Sequence, residues 1–275
     1  KMLFARTCGD ICHRPCELFA GLSDKVPVKA LKKFVSGIDE NFYDFSIPIG
    51  RAEQAVKNNL RVAIVGAGPA GLSAAYDLLQ AGYSVDVFER RHEPGGMVIA
   101  AIPGFRMDKQ GFRFEAQQLE AMGAHFYFGK SLGSELILSE VAAQWDAVVL
   151  ALGQWRPASL PVLQQLNGKA PSVDAVHFLE RFNEGLETGI PDGDVLIVGG
   201  GNSAIDAARA AKKMVPSRRV VVSCLEREEE MPAFAEEIAH AHSEGVEICA
   251  DSTLVRCESN ARLHVFLSRY STGEP

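Results

Sequence analysis

The chain has 275 residues, 47% hydrophobic and 23% charged, with a formal net charge of −7 and a pI near 5.6. An acidic balance without a basic run argues against nucleic acid or an anionic membrane as the main partner. No apolar stretch reaches the roughly 18 residues of a spanning helix, and the first residues lack the apolar core of a signal peptide, so no membrane insertion and a reducing cytoplasm are expected.

Length gives a prior of about two domains, and texture separates three zones, 1–58, 59–156 and 157–275. The first is expected to be a small α-helical segment. It holds Cys8, Cys12 and Cys16 in CGDICHRPC, then VPVKALKKFVSGI, where Val28, Leu31 and Phe34 recur at helical spacing. On one unbroken helix these cysteines would span about 12 Å at 1.5 Å per residue, too far for one small metal centre. Pro15 breaks such a helix, so a loop folded around a centre is expected. In a reducing compartment thiols or metal ligands are expected before disulfides.

From residue 59 short β-branched runs alternate with Ala-rich helical patterns. RVAIV and SVDVFE read as strands around a first helix. DKQGFRFEAQQLEAMG reads as a helix capped by Asp108 and stopped at Gly123, and WDAVVLALG as a buried strand. After the loop RPASLPVLQQLNGKAPS the same texture restarts with DVLIVGGGNSAIDAARAAKKM, RRVVVSCLE and a helix across 233–243. EICA, TLVRC and RLHVFLSRY read as antiparallel strands, with a turn at Ser259 and Asn260.

The strand–glycine–helix unit thus occurs twice. In the first, Gly66 permits the tight turn, Gly68 lets backbone amides approach a pyrophosphate, and Gly71 lets the helix pack on the sheet. Glu89 closes the unit where a ribose 2′-hydroxyl would lie. In the second, Gly199, Gly201 and Ala204 take the same roles, and VVVSCLE ends on Glu226. Two such units predict an α/β chain of two Rossmann-like domains, with a flavin that accepts hydride and a nicotinamide that supplies it. Gly95 and Gly96 would let backbone run against a flat cofactor. His13, His240, His242, Glu236, Glu237 and the run EREEE read as solvated surface.

Together TCGDICHRPCE, VPVKALKKF, RVAIVGAGPAGLSAAYDLLQAGYSVDVFE, EPGGMVIAAIPGFRM, VVLALG, LIVGGGNSAIDAARAA and EMPAFAEEIAHAHSEGV resemble the glutamate synthase small-subunit type of flavin oxidoreductase. The same module forms the N-terminal half of dihydropyrimidine dehydrogenase. The resemblance implies a helical cluster-binding segment, an FAD domain and a nicotinamide domain inserted into it. It assigns FAD to Gly66, Gly68, Pro69, Ala70 and Gly71, to Glu89 and Arg90, and to Gly96 and Met97. Arg106 and Gly153 join them from family motifs. NAD(H) falls on Gly199, Gly201, Asn202, Ser203 and Ala204, with Glu226 and Arg227 at its ribose. The implied function is to oxidise NADH, in preference to NADPH, and to pass electrons through FAD to iron–sulfur clusters of a larger catalytic or electron-accepting subunit. Cys224, Cys249 and Cys257 lie far from the flavin motifs, which disfavours a dithiol mechanism.

The family pattern is also departed from. Its further cysteine falls at about Ala20, and a glutamine that some relatives use falls on Lys32, which cannot be a ligand. Cys8, Cys12 and Cys16 are therefore an incomplete 4Fe–4S set. Three readings stay open: a cluster completed from elsewhere, a site that has lost it, or another metal such as zinc. The chain stops at Pro275, short of the family's closing FAD segment, and reads as C-terminally truncated relative to it. A non-catalytic nucleotide-binding or assembly module is the alternative function. Where NADPH-using relatives carry two arginines, this chain has Leu225 and Glu226.

Overall fold

The computed structural model describes residues 3–19, 26–37, 59–157, 160–164, 172–190, 193–259 and 263–269. It divides into two units, one of Lys1–Ala100 with Gly104–Gln154 and one of Ala101–Pro103 with Trp155–Pro275.

The first unit begins with helices α1 (Ala5–Ile11), α2 (Pro15–Phe19) and α3 (Val28–Gly37). No single helix carries the cysteines, as Pro15 requires, but the segment is not a loop either. Cys8 sits inside α1 and Cys16 inside α2. The break is confined to residues 12–14, where Arg14 takes a positive φ of 52°, and Pro15 opens α2 at a position that tolerates a missing N–H. What makes so short a helix as α1 persist comes from far along the chain. Glu115, fully buried, accepts from the amides of Arg6 at 2.8 Å and Thr7 at 3.2 Å and from the Thr7 hydroxyl. That satisfies donors a helix start leaves orphaned.

The sheet follows: β1 (Arg61–Val65), α4 (Pro69–Gln80), β2 (Ser84–Glu89), α5 (Met97–Ala100), α6 (Lys109–Ala121), β3 (His125–Phe128), α7 (Leu138–Gln144) and β4 (Ala147–Leu150). The strands are parallel in the order β3-β2-β1-β4. Val62, Ala63, Ile64 and Val65 are all buried, as expected of a central parallel strand covered on both faces. The helix across 108–123 forms as its signals predict: the Asp108 carboxylate accepts from the Gln110 amide, and Gly123 follows with φ 103°.

The second unit contains α8 (Pro161–Gln164), α9 (Ala175–Asn183), β5 (Val195–Val198), α10 (Asn202–Met214), β6 (Val220–Ser223), a 3-10 turn (Glu228–Glu230), α11 (Ala235–Ser243), β7 (Glu247–Cys249), β8 (Ser252–Ser259) and β9 (Leu263–Arg269). β5, β6 and β7 form a parallel sheet, and β8 and β9 an antiparallel pair. The antiparallel expectation thus holds for the last two strands and fails for EICA. The cause is α11: a helix between β6 and β7 returns the chain to the same end of the sheet, which makes the pairing parallel. Of the turn expected at Ser259 and Asn260, Ser259 closes β8 and Asn260 lies outside the described residues.

Glu237 is not the exposed carboxylate its helix position suggested. It is buried and pairs with Arg209 of α10, which is buried too and also grips Glu244 with Nε at 3.1 Å and a terminal nitrogen at 2.9 Å. Arg209→Ala would remove the buried cation that faces Glu237, while Glu244 keeps Lys213 at 2.9 Å. A loss of about 3 kcal/mol is expected, read as a lower urea midpoint; a loss within error would mean water already solvates the pair.

Candidate nucleotide-binding sites

The first turn is shaped by two glycines that leave no room. Gly66 donates its amide to the Phe88 carbonyl at 2.8 Å and holds φ at 108°, and a Cβ there would lie 2.3 Å from the Ala151 carbonyl oxygen. A Cβ on Gly71 would fall 1.9 Å from the Gly66 oxygen. Gly68 is the opposite case, with nothing within 4 Å of its Cβ position. It precedes Pro69, the first residue of α4, and no side chain caps that helix. Pro69 and Ala70 are exposed. The turn therefore offers open space in front of helix-start amides that no side chain caps, which suits an anionic group.

Glu89 is buried at the end of β2. One carboxylate oxygen accepts from the Ala67 amide at 2.8 Å and the other from the Arg91 amide at 2.9 Å. It braces the turn, and each oxygen keeps a second lone pair for a ligand hydroxyl. The loop after it packs on the same turn: the Gly95 amide reaches the Ala67 carbonyl at 2.7 Å, and a Cβ on Gly96 would lie 3.0 Å from the Gly68 Cα. Met97 then starts α5. Arg113 of α6 anchors this loop through a two-pronged bond to Glu93, at 2.6 and 3.0 Å. That hydrogen bond holds the Glu93 carboxyl below its ordinary range, against an opposing effect of burial, with help from the charges of Arg113, Arg91 and Lys109. Arg90 is exposed, Arg106 is half-buried in the bend before α6, and Gly153 is exposed just beyond β4 with φ 69°. Residues 66–71, 89 and 95–97 are thus gathered in one place.

The second turn repeats this plan with one change. Gly199 donates to the Ser223 carbonyl at 2.8 Å with φ 132°, as Gly66 does to Phe88. The Ala204 Cβ stands 3.7 Å from the Gly199 Cβ position, ordinary contact, so alanine is tolerated there. Gly201 again has nothing within 4 Å and precedes an uncapped helix, α10. Ser203 is exposed on its first turn.

The change is at the strand end. β6 stops at Ser223, not at Glu226. By register Cys224 occupies the place that Glu89 holds in the first unit. Its thiol is pushed up by burial and by the neighbouring Glu226 charge. The acid arrives from two residues further on. A Cβ on Gly200 would lie 2.6 Å from a Glu226 carboxylate oxygen, so that carboxylate folds back over the turn. The loop bringing it is held by the Asp251 amide on the Glu226 carbonyl at 3.0 Å and the Ser252 amide on the Cys224 carbonyl at 2.7 Å. Leu225 and Arg227 are exposed.

Asn202 has a role that its place in the motif did not reveal: its side-chain oxygen accepts from the Phe234 amide at 3.0 Å. With the Ala233 amide on the Gly200 carbonyl at 3.1 Å, this seats the MPAF loop against the turn. His242 pairs with Glu228 at 2.7 Å on the outer side of the same loop.

The cysteines are not drawn together in the same way. Cys8 accepts a hydrogen bond from the Lys32 ammonium at 3.3 Å, Cys12 accepts from the Arg14 amide at 3.3 Å, and Cys16 is exposed. Among the described residues no three His, Cys, Asp or Glu side chains are grouped to hold a metal ion. These three cysteines, one of them bonded to Lys32, fall short of the four ligands a 4Fe–4S cluster takes; the position of Ala20 lies outside the described residues. No helix among the described residues is long and apolar enough to cross a membrane.

Known proteins match this architecture. The model of the family described as pyridine nucleotide-disulphide oxidoreductase matches residues 60–273. The β subunit of the NADPH-Fe(3+) oxidoreductase of Geobacter sulfurreducens is 32% identical, over 100% of this chain and 41% of that protein. The NAD-dependent dihydropyrimidine dehydrogenase subunit PreT of Escherichia coli is 32% identical, over 93% of this chain and 60% of its own length. The chain thus spans about half the length of these curated relatives. Among solved structures, Mycobacterium tuberculosis FprA in complex with NADPH superposes with a TM-score of 0.65 at 18% identity, covering 78% of this chain and 65% of that one. That likeness establishes two Rossmann-like domains in an α/β fold. The chain belongs to the pyridine nucleotide-disulphide oxidoreductase family, and within it to the glutamate synthase small-subunit-like flavin oxidoreductases that its motifs resemble.

Proposed function

We infer that this chain is the electron-input module of a larger oxidoreductase, holding FAD at the turn of residues 66–71 and NADH at the turn of residues 199–204. The observation that carries the reading is the pair Gly68 and Gly201. Each has an open Cβ position before a helix that no side chain caps, one in each unit, while Gly66, Gly71 and Gly200 beside them are packed tight. FAD, when bound, accepts hydride from a nicotinamide and releases the electrons singly. The protein's own part is positioning. Glu89 braces the first turn and presents lone pairs to the ribose of FAD, and the loop of residues 95–97 closes the same site. Glu226 takes the ribose of NADH, and Asn202 holds the MPAF loop beside it. The electrons go on to iron–sulfur carriers of a larger partner subunit, in the cytoplasm. The domain bounds that accompany this reading are 1–58, 59–156 and 157–275.

The full-length protein is expected to show a flavin spectrum that bleaches when NADH is added without oxygen. A colourless protein, with no flavin after supplementation and desalting, would end the reading.

Acid should release the flavin early. Glu93 has its carboxyl lowered in the folded protein, so its contribution is complete above the ordinary glutamate range and is lost as pH falls through the lowered value. Flavin retention should fall over that acid window. In Arg113→Met the fall should begin at higher pH; identical retention curves would show that the loop needs no anchor.

A further inference from the structure

Besides the stacking of Phe4 on Phe112, the cysteine segment is held by polar groups of the chain itself. Glu115 caps α1 from α6. Glu17, buried, accepts from the Lys29 amide at 2.7 Å and so caps α3. Asp10 takes the Lys33 ammonium at 2.8 Å and the Asp108 amide at 3.0 Å, joining α1 both to α3 and to the start of α6. The helices α1 and α3 touch at Gly9, where a Cβ would lie 2.8 Å from the Lys33 Cα. Cys8 and Lys32 are the residues next to that crossing, and the Lys32 ammonium donates to the Cys8 sulfur at 3.3 Å.

An ammonium has three donors and no lone pair, so it cannot be an iron ligand. Cys12 accepts from the Arg14 amide, and Cys16 stands exposed on the next helix. We propose that the cysteine segment is a cluster-free brace, in which the contact between Lys32 and Cys8 fastens α3 to α1 where a metal centre would otherwise do so. Electrons then leave the module without passing through this segment. The inference is independent of the flavin reading, because flavin is counted separately in the same samples.

The test uses the full-length protein after anaerobic reconstitution with ferrous iron and sulfide. Its iron content should equal that of the triple variant Cys8→Ala, Cys12→Ala, Cys16→Ala. One cluster more in the wild type would overturn the proposal. In melting experiments Lys32→Met and Cys8→Ala should each lower the midpoint by about 2–4 °C. The double variant should fall no further than the worse single one. Additive losses, or no loss in either single variant, would equally overturn it.

Discussion

Gly71→Val is expected to cost the first unit about 4 kcal/mol or more of stability, whereas Gly68→Val leaves the fold intact and the flavin site empty. The two residues stand three apart in one motif, yet they face different things. A Cβ on Gly71 would sit 1.9 Å from the Gly66 oxygen, inside any van der Waals contact, and the obstacle is backbone that cannot rotate away. Gly66 cannot retreat, because its own Cβ position is 2.3 Å from the Ala151 carbonyl and its amide is committed to Phe88. The turn, β1 and α4 would have to part. The Gly68 Cβ position has no neighbour within 4 Å, so a valine there is expected to displace what binds and to leave the fold in place. Melting and flavin absorbance after desalting separate the two. A Gly68→Val protein that keeps its flavin would place the pyrophosphate elsewhere.

NADH should exceed NADPH in kcat/KM by roughly ten- to a hundredfold, and Glu226→Ser should remove most of that gap. The Glu226 carboxylate lies over Gly200, on the turn that would carry the adenosine pyrophosphate. It can accept from a free 2′-hydroxyl, but it repels a 2′-phosphate. Partly screened repulsion at that range is worth on the order of 1–3 kcal/mol, the fold-change stated. Arg227, next in sequence, is the competing charge; it is exposed at the start of a turn of three glutamates, Glu228–Glu230. Family membership does not decide the matter, since one relative is named for NADPH and another for NAD. Steady-state dye reduction by the full-length protein with each cofactor checks it. Equal or better efficiency with NADPH would show that Arg227 faces the ribose.

Local signals were legible in the sequence and long-range ones were not. The glycine turns, the Asp108 cap and the stop at Gly123 depend on a few adjacent residues whose backbone demands are specific. The end of β6 is not legible because VVVSCLE stays apolar past the strand, which stops at Ser223. Only counting from the residue that pairs with Gly199 reveals that Cys224 stands in Glu89's place. EICA is three residues of strand, too short for its pattern to name a partner. Glu115 caps a helix more than 100 residues earlier, and Glu237 finds Arg209 across two helices. Neither carboxylate differs in sequence from a solvated one. The cysteine spacing carried the memory of a ligand set, while the residue that changes its chemistry, Lys32, lies on another helix.

The measurement closest to the central claim is the anaerobic addition of NADH to Gly201→Val, beside the wild type. Flavin and nicotinamide are assigned to separate turns, and nothing lies within 4 Å of the Gly201 Cβ position. The variant should therefore keep its fold and its full flavin, and fail to bleach at NADH concentrations that bleach the wild type. Loss of flavin from Gly201→Val, or bleaching indistinguishable from the wild type, would contradict the assignment of the two turns.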